Sequence, residues 1–196
     1  AFFGQLSENL IAWIPTAGRI RPDNIQKAKV LGFESSLQAH FWRKRIRLSA
    51  NYTFMYTENG SPEQAHHGQA LPGRPRHDVV AKLNVGESWI LQNHHVTPRC
   101  FGQFSYIADN ALDPANRLVL PPRQHIGAGA EISIRPTTND TWKARIALSI
   151  RNLTNQTHVT WSPPIANTKP RPIAVSDFLG YPLPGRSFWL ESSFTF

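Results

Sequence analysis

The residues that could do chemistry are few, and their spacing argues against most of it. His66 and His67 are adjacent in a polar stretch. In a strand, neighbours point to opposite faces; in a loop the two rings could converge on a metal, but no third ligand is identifiable. His94 and His95 form a weaker pair beside a short connection. His77 precedes Asp78, yet a catalytic pair needs an activated serine or cysteine beside it. Ser105, Ser162 and Ser176 are available and none sits in a recognisable nucleophile motif. His77 is therefore read as an interfacial polar contact. Cys100 is the only cysteine, so neither a disulfide within the chain nor a cysteine-based metal framework is possible. Arg43-Lys44-Arg45, with Arg47, is the densest basic run and reads as a solvated tight turn. The Asn-x-Thr triplets at Asn51, Asn152 and Asn155 read as chance matches. No metal, no cofactor and no enzymatic activity is expected.

The elements that would carry such residues are strands. Sixteen prolines and 12 glycines in 196 residues leave no room for long helices. Only 17% of the chain is charged, below the usual quarter of soluble domains. No run approaches 18 apolar residues, so no membrane-crossing helix is expected. Spanning strands hide their apolar residues by alternation, so the mean hydropathy of -0.36 decides nothing. The net charge of +8 is scattered rather than gathered on one face, and nucleic acid is not expected as a partner. Ala1 leads into Phe2-Phe3-Gly4 without a basic leader, as in a mature chain or a fragment.

Period-2 alternation is the strongest signal. Ile46, Leu48, Ala50, Tyr52, Phe54 and Tyr56 share one face; Arg47, Ser49, Asn51, Thr53, Met55 and Thr57 share the other. The same pattern returns at Leu31–Phe41, Val79–Val85, Ile126–Ile134 and Trp142–Ile150. Its phase is unclear at 3–14 and 96–106. Short connections at Arg43–Arg45, Gly86–Gln92 and Pro136–Thr141 alternate with long polar ones at Pro15–Gln26, Glu58–Pro75, Ile107–Pro122 and Leu153–Pro184. Tight turns at one end and long loops at the other are the habit of a transmembrane barrel. Trp42, Trp89 and Trp142 all lie at the short connections, as a girdle at the membrane–water interface requires. The second phase carries Arg47, Asp78, Lys82, Glu131, Arg145 and Arg151, which suits a wide polar lumen rather than a dry core. The last strand ends on Phe196, with Phe194, Leu190 and Phe188 in phase and Ser192 departing from it. This pattern is similar to the C-terminal signal of bacterial outer-membrane proteins.

Several segments resemble the distal barrel of TonB-dependent outer-membrane receptors. They are Asn152-Leu153-Thr154-Asn155, Tyr181 through Phe188, Leu71-Pro72-Gly73-Arg74-Pro75-Arg76-His77, Pro22-Asp23-Asn24-Ile25 with Ala28 and Gly32-Phe33-Glu34, and Asn9-Leu10-Ile11 with Trp13. The resemblance implies an all-β fold: an antiparallel transmembrane β-barrel, with about eight meander strands over 1–196 forming the C-terminal part of a larger barrel of about 22 strands. The plug of such receptors is absent from this chain. The resemblance also implies import of a scarce nutrient (a ferric siderophore, haem, cobalamin or glycan) driven through TonB, which would act on the plug. Outer-membrane lipid and lipopolysaccharide would be further partners, in the outer membrane of a Gram-negative bacterium, with the C-terminus periplasmic. Loops carry specificity on a rigid wall, so His66, His67, Trp161, Asp177 and Tyr181 are the ligand-facing candidates. The rival readings are a small eight-stranded structural or adhesin barrel and an outer-membrane hydrolase.

Overall fold

The computed structural model describes residues 1–196 except 17–18, 63–65, 139–141, 164–166 and 179–180, and gives no side-chain account of 9–10, 12–16, 19–21, 23–26 and 177–178. All regular structure among the described residues is strand. The wall strands are β1 (Phe2–Thr16), β2 (Arg19–Phe41), β3 (Ile46–Asn59) and β4 (His77–Gly86), followed by the short β5 (Trp89–Leu91) and then β6 (His94–Ala108). At one end lies the pair β7 (Asn110–Ala111) and β8 (Val119–Leu120). The wall continues with β9 (Arg123–Pro136) and β10 (Lys143–Arg151). Two small hairpins follow, β11 (His158–Trp161) with β12 (Arg171–Ala174), and β13 (Ser176–Phe178) with β14 (Tyr181–Pro182). The last wall strand is β15 (Ser187–Thr195). The sheet order is β1-β2-β3-β4-β6-β9-β10-β15, antiparallel throughout, with β5 pairing β6 beyond the end of β4. This is the expected eight-stranded meander. β1 and β15 do not pair with each other, so the cylinder is open and a closed eight-stranded barrel is not formed.

The register puts the expected phases together across the whole wall. One row runs Ala39, Leu48, Leu83, Gly102, Ala128, Ile150, Phe188; the next apolar row runs Ile46, Val85, Cys100, Ala130, Leu148, Leu190. These faces are open. Ile146 is 55% exposed and Leu148 51%. The buried apolar side chains among the described residues are small or sit in the loops: Ala28, Ala108, Ala111, Ala147, Leu71, Leu112 and Val175. A water-soluble sandwich would bury its alternating Ile and Leu; this sheet turns them outward, where only hydrocarbon makes them favourable. Nine residues in β10 and in β15 match a tilted crossing of the hydrocarbon layer, for which about 9–11 are needed. β2, at 23 residues, extends far past it.

One expectation about the connections is corrected and two are refined. Within the long polar connection expected over 15–26, residues 15–16 and 19–26 instead belong to strands, and β1 and β2 stay paired as far as Thr16 and Arg19, residues 17–18 lying outside the described residues. Beyond the membrane both faces of a hairpin meet water, so polarity there does not mark a loop. Pro22 fits because β2 has no second partner before Ala28. The short connection at 86–92 contains β5, and the turn itself narrows to Gln92–Asn93, with φ of 45° and 63°, a mirror-image hairpin turn. The connection at 153–184 holds the two small hairpins. The obscure phases at 3–14 and 96–106 also resolve. Phe2 pairs with Phe33 and Phe104 with Ala81 on the outward face, while Phe3 and Phe101 lie on the lumen face.

Both inward phenylalanines lie over glycines. The nearest atoms a Cβ on Gly32 would meet belong to the Phe3 ring, at 2.1 Å, whereas one on Gly129 would meet the Phe101 ring at 2.3 Å and the Leu148 carbonyl oxygen at 2.6 Å. A ring can swing aside; a ladder carbonyl cannot. Gly129→Ala is therefore expected to destabilise the wall by about 1–3 kcal/mol, and Gly32→Ala by clearly less. Denaturant unfolding of both variants in detergent checks the order.

Candidate functional site

The lumen face carries an ionic fork. Arg145 donates from Nε to Glu131 at 2.8 Å and from Nη1 to Glu191 at 2.7 Å, while Arg99 reaches Glu131 at 3.4 Å. Glu131, Arg145 and Glu191 come from β9, β10 and β15, one phase apart from the outward leucines. The fork fixes the order of three strands with charge-assisted bonds. On the same face, Arg151 stacks over Trp189 at 4.8 Å. Ser192, which breaks the apolar phase, lies opposite Ile146 on the outward face.

At the opposite end from the tight turns, the loops form a small architecture of their own. Asn116 donates from Nδ2 to the Ala70 carbonyl at 2.9 Å and accepts the Ala70 N–H at 2.8 Å. Gly73 N–H donates to the Ala111 carbonyl at 2.8 Å, and Leu71 N–H to Thr57 Oγ1 at 2.9 Å. The loop after β3 and the loop after β6 are thus clamped together over Leu71 and Leu112. The two small hairpins hang on Val175, which is buried. Its N–H donates to the Thr157 carbonyl at 2.9 Å, and it accepts from Leu183 N–H at 2.7 Å.

Between these loop groups lies an apolar cavity of about 280 Å³, lined by Leu112, Leu118, Leu120, Trp161, Ile173 and Tyr181, with Arg171 at its wall. Trp161 and Arg171 are directly opposite in the β11–β12 pair, and the guanidinium lies 5.1 Å from the indole centre. An aromatic surface carrying a delocalised cation can hold a flat or anionic organic group.

Two of the five expected ligand-facing residues, Trp161 and Tyr181, meet at this cavity. Asp177 lies in β13, with its side chain outside the described residues. His66 and His67 lie in the loop after β3, apart from the cavity lining; His67 Nδ1 sits 3.0 Å from the Ser61 carbonyl oxygen. Among the described residues no group of three or more His, Cys, Asp or Glu is gathered for a metal. His77 faces away from Asp78: its Nδ1 lies 2.9 Å from the Tyr52 hydroxyl and its Nε2 3.8 Å from Asp109. Ser176 donates its hydroxyl to the Tyr181 carbonyl at 2.8 Å. Sequence reading missed Leu118, Leu120, Ile173 and Arg171. The Leu118-Val119-Leu120 run ahead of two prolines was the available signal: a short apolar strand inside a stretch read as polar loop.

An open antiparallel wall with one apolar face, an ionic opposite face and a structured loop rim is the architecture of part of a transmembrane β-barrel. The chain belongs to the TonB-dependent receptor-like β-barrel family, whose model matches residues 1–153. That family comprises outer-membrane receptors of Gram-negative bacteria rather than enzymes. Among solved structures, the fold is similar to BauA, the ferric preacinetobactin receptor from Acinetobacter baumannii, with a TM-score of 0.62 and 17% identity. The match covers 98% of this chain and 26% of that receptor, so the chain spans about a quarter of the relative's length. No curated protein sequence matches.

Proposed function

We propose that residues 1–196 are the C-terminal wall of a receptor that imports a metal chelate of the ferric-siderophore kind, with energy delivered by TonB through a plug outside this chain. The rim cavity carries the reading: Trp161, Tyr181 and Arg171 present an aromatic, cationic surface of the chemistry that a flat anionic chelate needs, at the loop end of the wall. A siderophore receptor with the same fold supports that choice over haem, cobalamin or a glycan. In this reading the tight turns and Phe196 are periplasmic, the long loops are extracellular, and the outward face meets phospholipid at one end and lipopolysaccharide at the other.

In iron-starved cells that rely on the full-length protein, Trp161→Ala with Tyr181→Ala is expected to lower uptake of radiolabelled ferric siderophore about ten-fold or more. That corresponds to losing two aromatic contacts of about 1 kcal/mol each. Surface abundance should be unchanged by immunoblot, and uptake should vanish without TonB. Uptake that survives loss of TonB would overturn the reading.

The two unpaired edges, β1 and β15, support placing the chain within a larger cylinder, because unpaired ladder groups are not tolerated in hydrocarbon. Refolded alone in detergent, residues 1–196 should give no compact, heat-modifiable band on a gel. Such a band would favour a closed small barrel.

A further inference from the structure

The basic turn Arg43–Arg45 adjoins a groove, and the two together have the shape of an amphiphile. On the outward face at the tight-turn end, an apolar groove of about 340 Å³ lies among Trp42, Ile46, Val85, Trp89, Pro98 and Cys100. Ile46, Val85 and Cys100 share one outward row, so the groove opens on the face read as lipid-facing. Its rim continues without a break into a second, polar cavity of about 390 Å³ lined by Arg43, Lys44, Arg45, Glu87 and Ser88; Arg45, Gly86 and Glu87 belong to both.

Charge decides what fits. Arg45 is paired with Glu87. Arg43 and Lys44 have no carboxylate partner among the described residues, so the polar cavity keeps a surplus of two cations. Their backbone is unusual as well. Trp42, Arg43 and Lys44 have φ of 50°, 55° and 68° in succession, a left-handed path that residues with long side chains adopt only under strain. The strained path carries an indole and two cations side by side. Trp42 is 73% exposed and Trp89 56%, so more than half of each residue at the groove is left uncovered by the described residues.

We propose that this cleft is a binding site for one anionic glycerophospholipid, with its phosphate against Arg43 and Lys44 and an acyl chain between Trp42 and Trp89. The site rests on the reading of this face as lipid-facing and of this end as the periplasmic, phospholipid leaflet. Each basic residue near an anionic lipid surface is worth about a five-fold preference, so the pair should enrich an anionic over a zwitterionic lipid by at least that factor.

The test reads quenching of Trp42 and Trp89. The full-length protein and its Trp42→Phe/Trp89→Phe variant are reconstituted in phosphatidylcholine vesicles holding a minor share of phosphatidylglycerol, with bromine on the acyl chains of one lipid or the other. The difference in emission between the two proteins reports the groove. Brominated phosphatidylglycerol should quench that difference as though enriched about five-fold or more over its bulk share. Arg43→Gln/Lys44→Gln should remove the enrichment, and Arg74→Gln, at the other end of the wall, should leave it. Quenching by both lipids in proportion to bulk share, or an enrichment that survives Arg43→Gln/Lys44→Gln, would overturn the site while leaving the lipid-facing wall intact. No quenching by either lipid would sink both. If the double variant fails to insert, salt replaces it: raising NaCl from about 0.05 to 0.5 M should abolish the enrichment in the unaltered protein, and persistence overturns the site.

Discussion

Leu148→Arg should destabilise the folded protein in a bilayer by about 2–4 kcal/mol, and Ser149→Arg, one residue on, by less than about 1 kcal/mol. The two positions are chemically far apart for a geometric reason. Leu148 is half-exposed on the outward face, level with Leu190 and Ala130, near the middle of β10. A guanidinium there must enter hydrocarbon or drag water and headgroups inward. Ser149 pairs with Gly129 and Trp189 on the lumen face, beside Arg151, where charge is already accommodated. Val85→Arg, close to the tight-turn end, should fall between them, since the penalty fades toward the interface. Denaturant unfolding in phospholipid vesicles, followed by tryptophan emission, gives all three values. Equal penalties at 148 and 149 would mean that both phases see the same surroundings, and the barrel assignment would fail.

That contrast rests on alternation, which is why the wall was legible in the sequence. Strict period-2 order over Ile46–Thr57 leaves one physical solution for a strand, and the register then aligns like with like across β2, β3 and β4. The phase was hidden where aromatics occupy both faces. Phe101 is accommodated on the lumen face because Gly129 opposite leaves a hollow for its ring, and that pairing joins residues far apart in the chain. The same limit applies to the hairpin ends of β1 and β2. Past the membrane a strand no longer needs one apolar face, so residues 15–16 and 19–26 read as loop although they lie in the paired strands β1 and β2. The rim cavity was half legible. Trp161 and Tyr181 stand out as aromatics in a polar segment, but their meeting with Leu118 and Leu120 depends on how two loops dock. That docking runs through single side chains such as Asn116, whose polarity gives no hint of a partner 46 residues away. The lumen fork was legible as charges of both signs in one phase, while its connectivity follows from register.

Asn152→Ala is expected to be among the most damaging single substitutions outside the membrane, at about 3 kcal/mol. Asn152 ends β10 with φ of 50° and is 4% exposed. Its Oδ1 accepts the Gln156 N–H at 3.0 Å, and its Nδ2 donates to the carbonyls of Gln156 at 3.2 Å and Pro184 at 3.1 Å. One amide therefore ties the first residues of the long loop to its last. Asn155, with φ of 52°, repeats the device by accepting the Arg186 N–H at 2.9 Å. Removing the Asn152 side chain leaves three backbone groups without this partner in a buried setting, at about 0.5–1.5 kcal/mol for each bond lost. Alanine also pays for the left-handed backbone, about 1 kcal/mol more. Asn152→Gly separates the two contributions, because glycine accepts that backbone freely. The expected order is Asn most stable, then Gly, then Ala, with Gly about 1 kcal/mol above Ala. Because the loop is held at both ends by this residue, limited proteolysis within 153–184 should accelerate in step with the loss of stability. If Asn152→Ala lies within about 0.5 kcal/mol of the unaltered protein, the range expected of ordinary surface changes, the amide does not hold the loop closed. The placement of Trp161 and Tyr181 would then need another support.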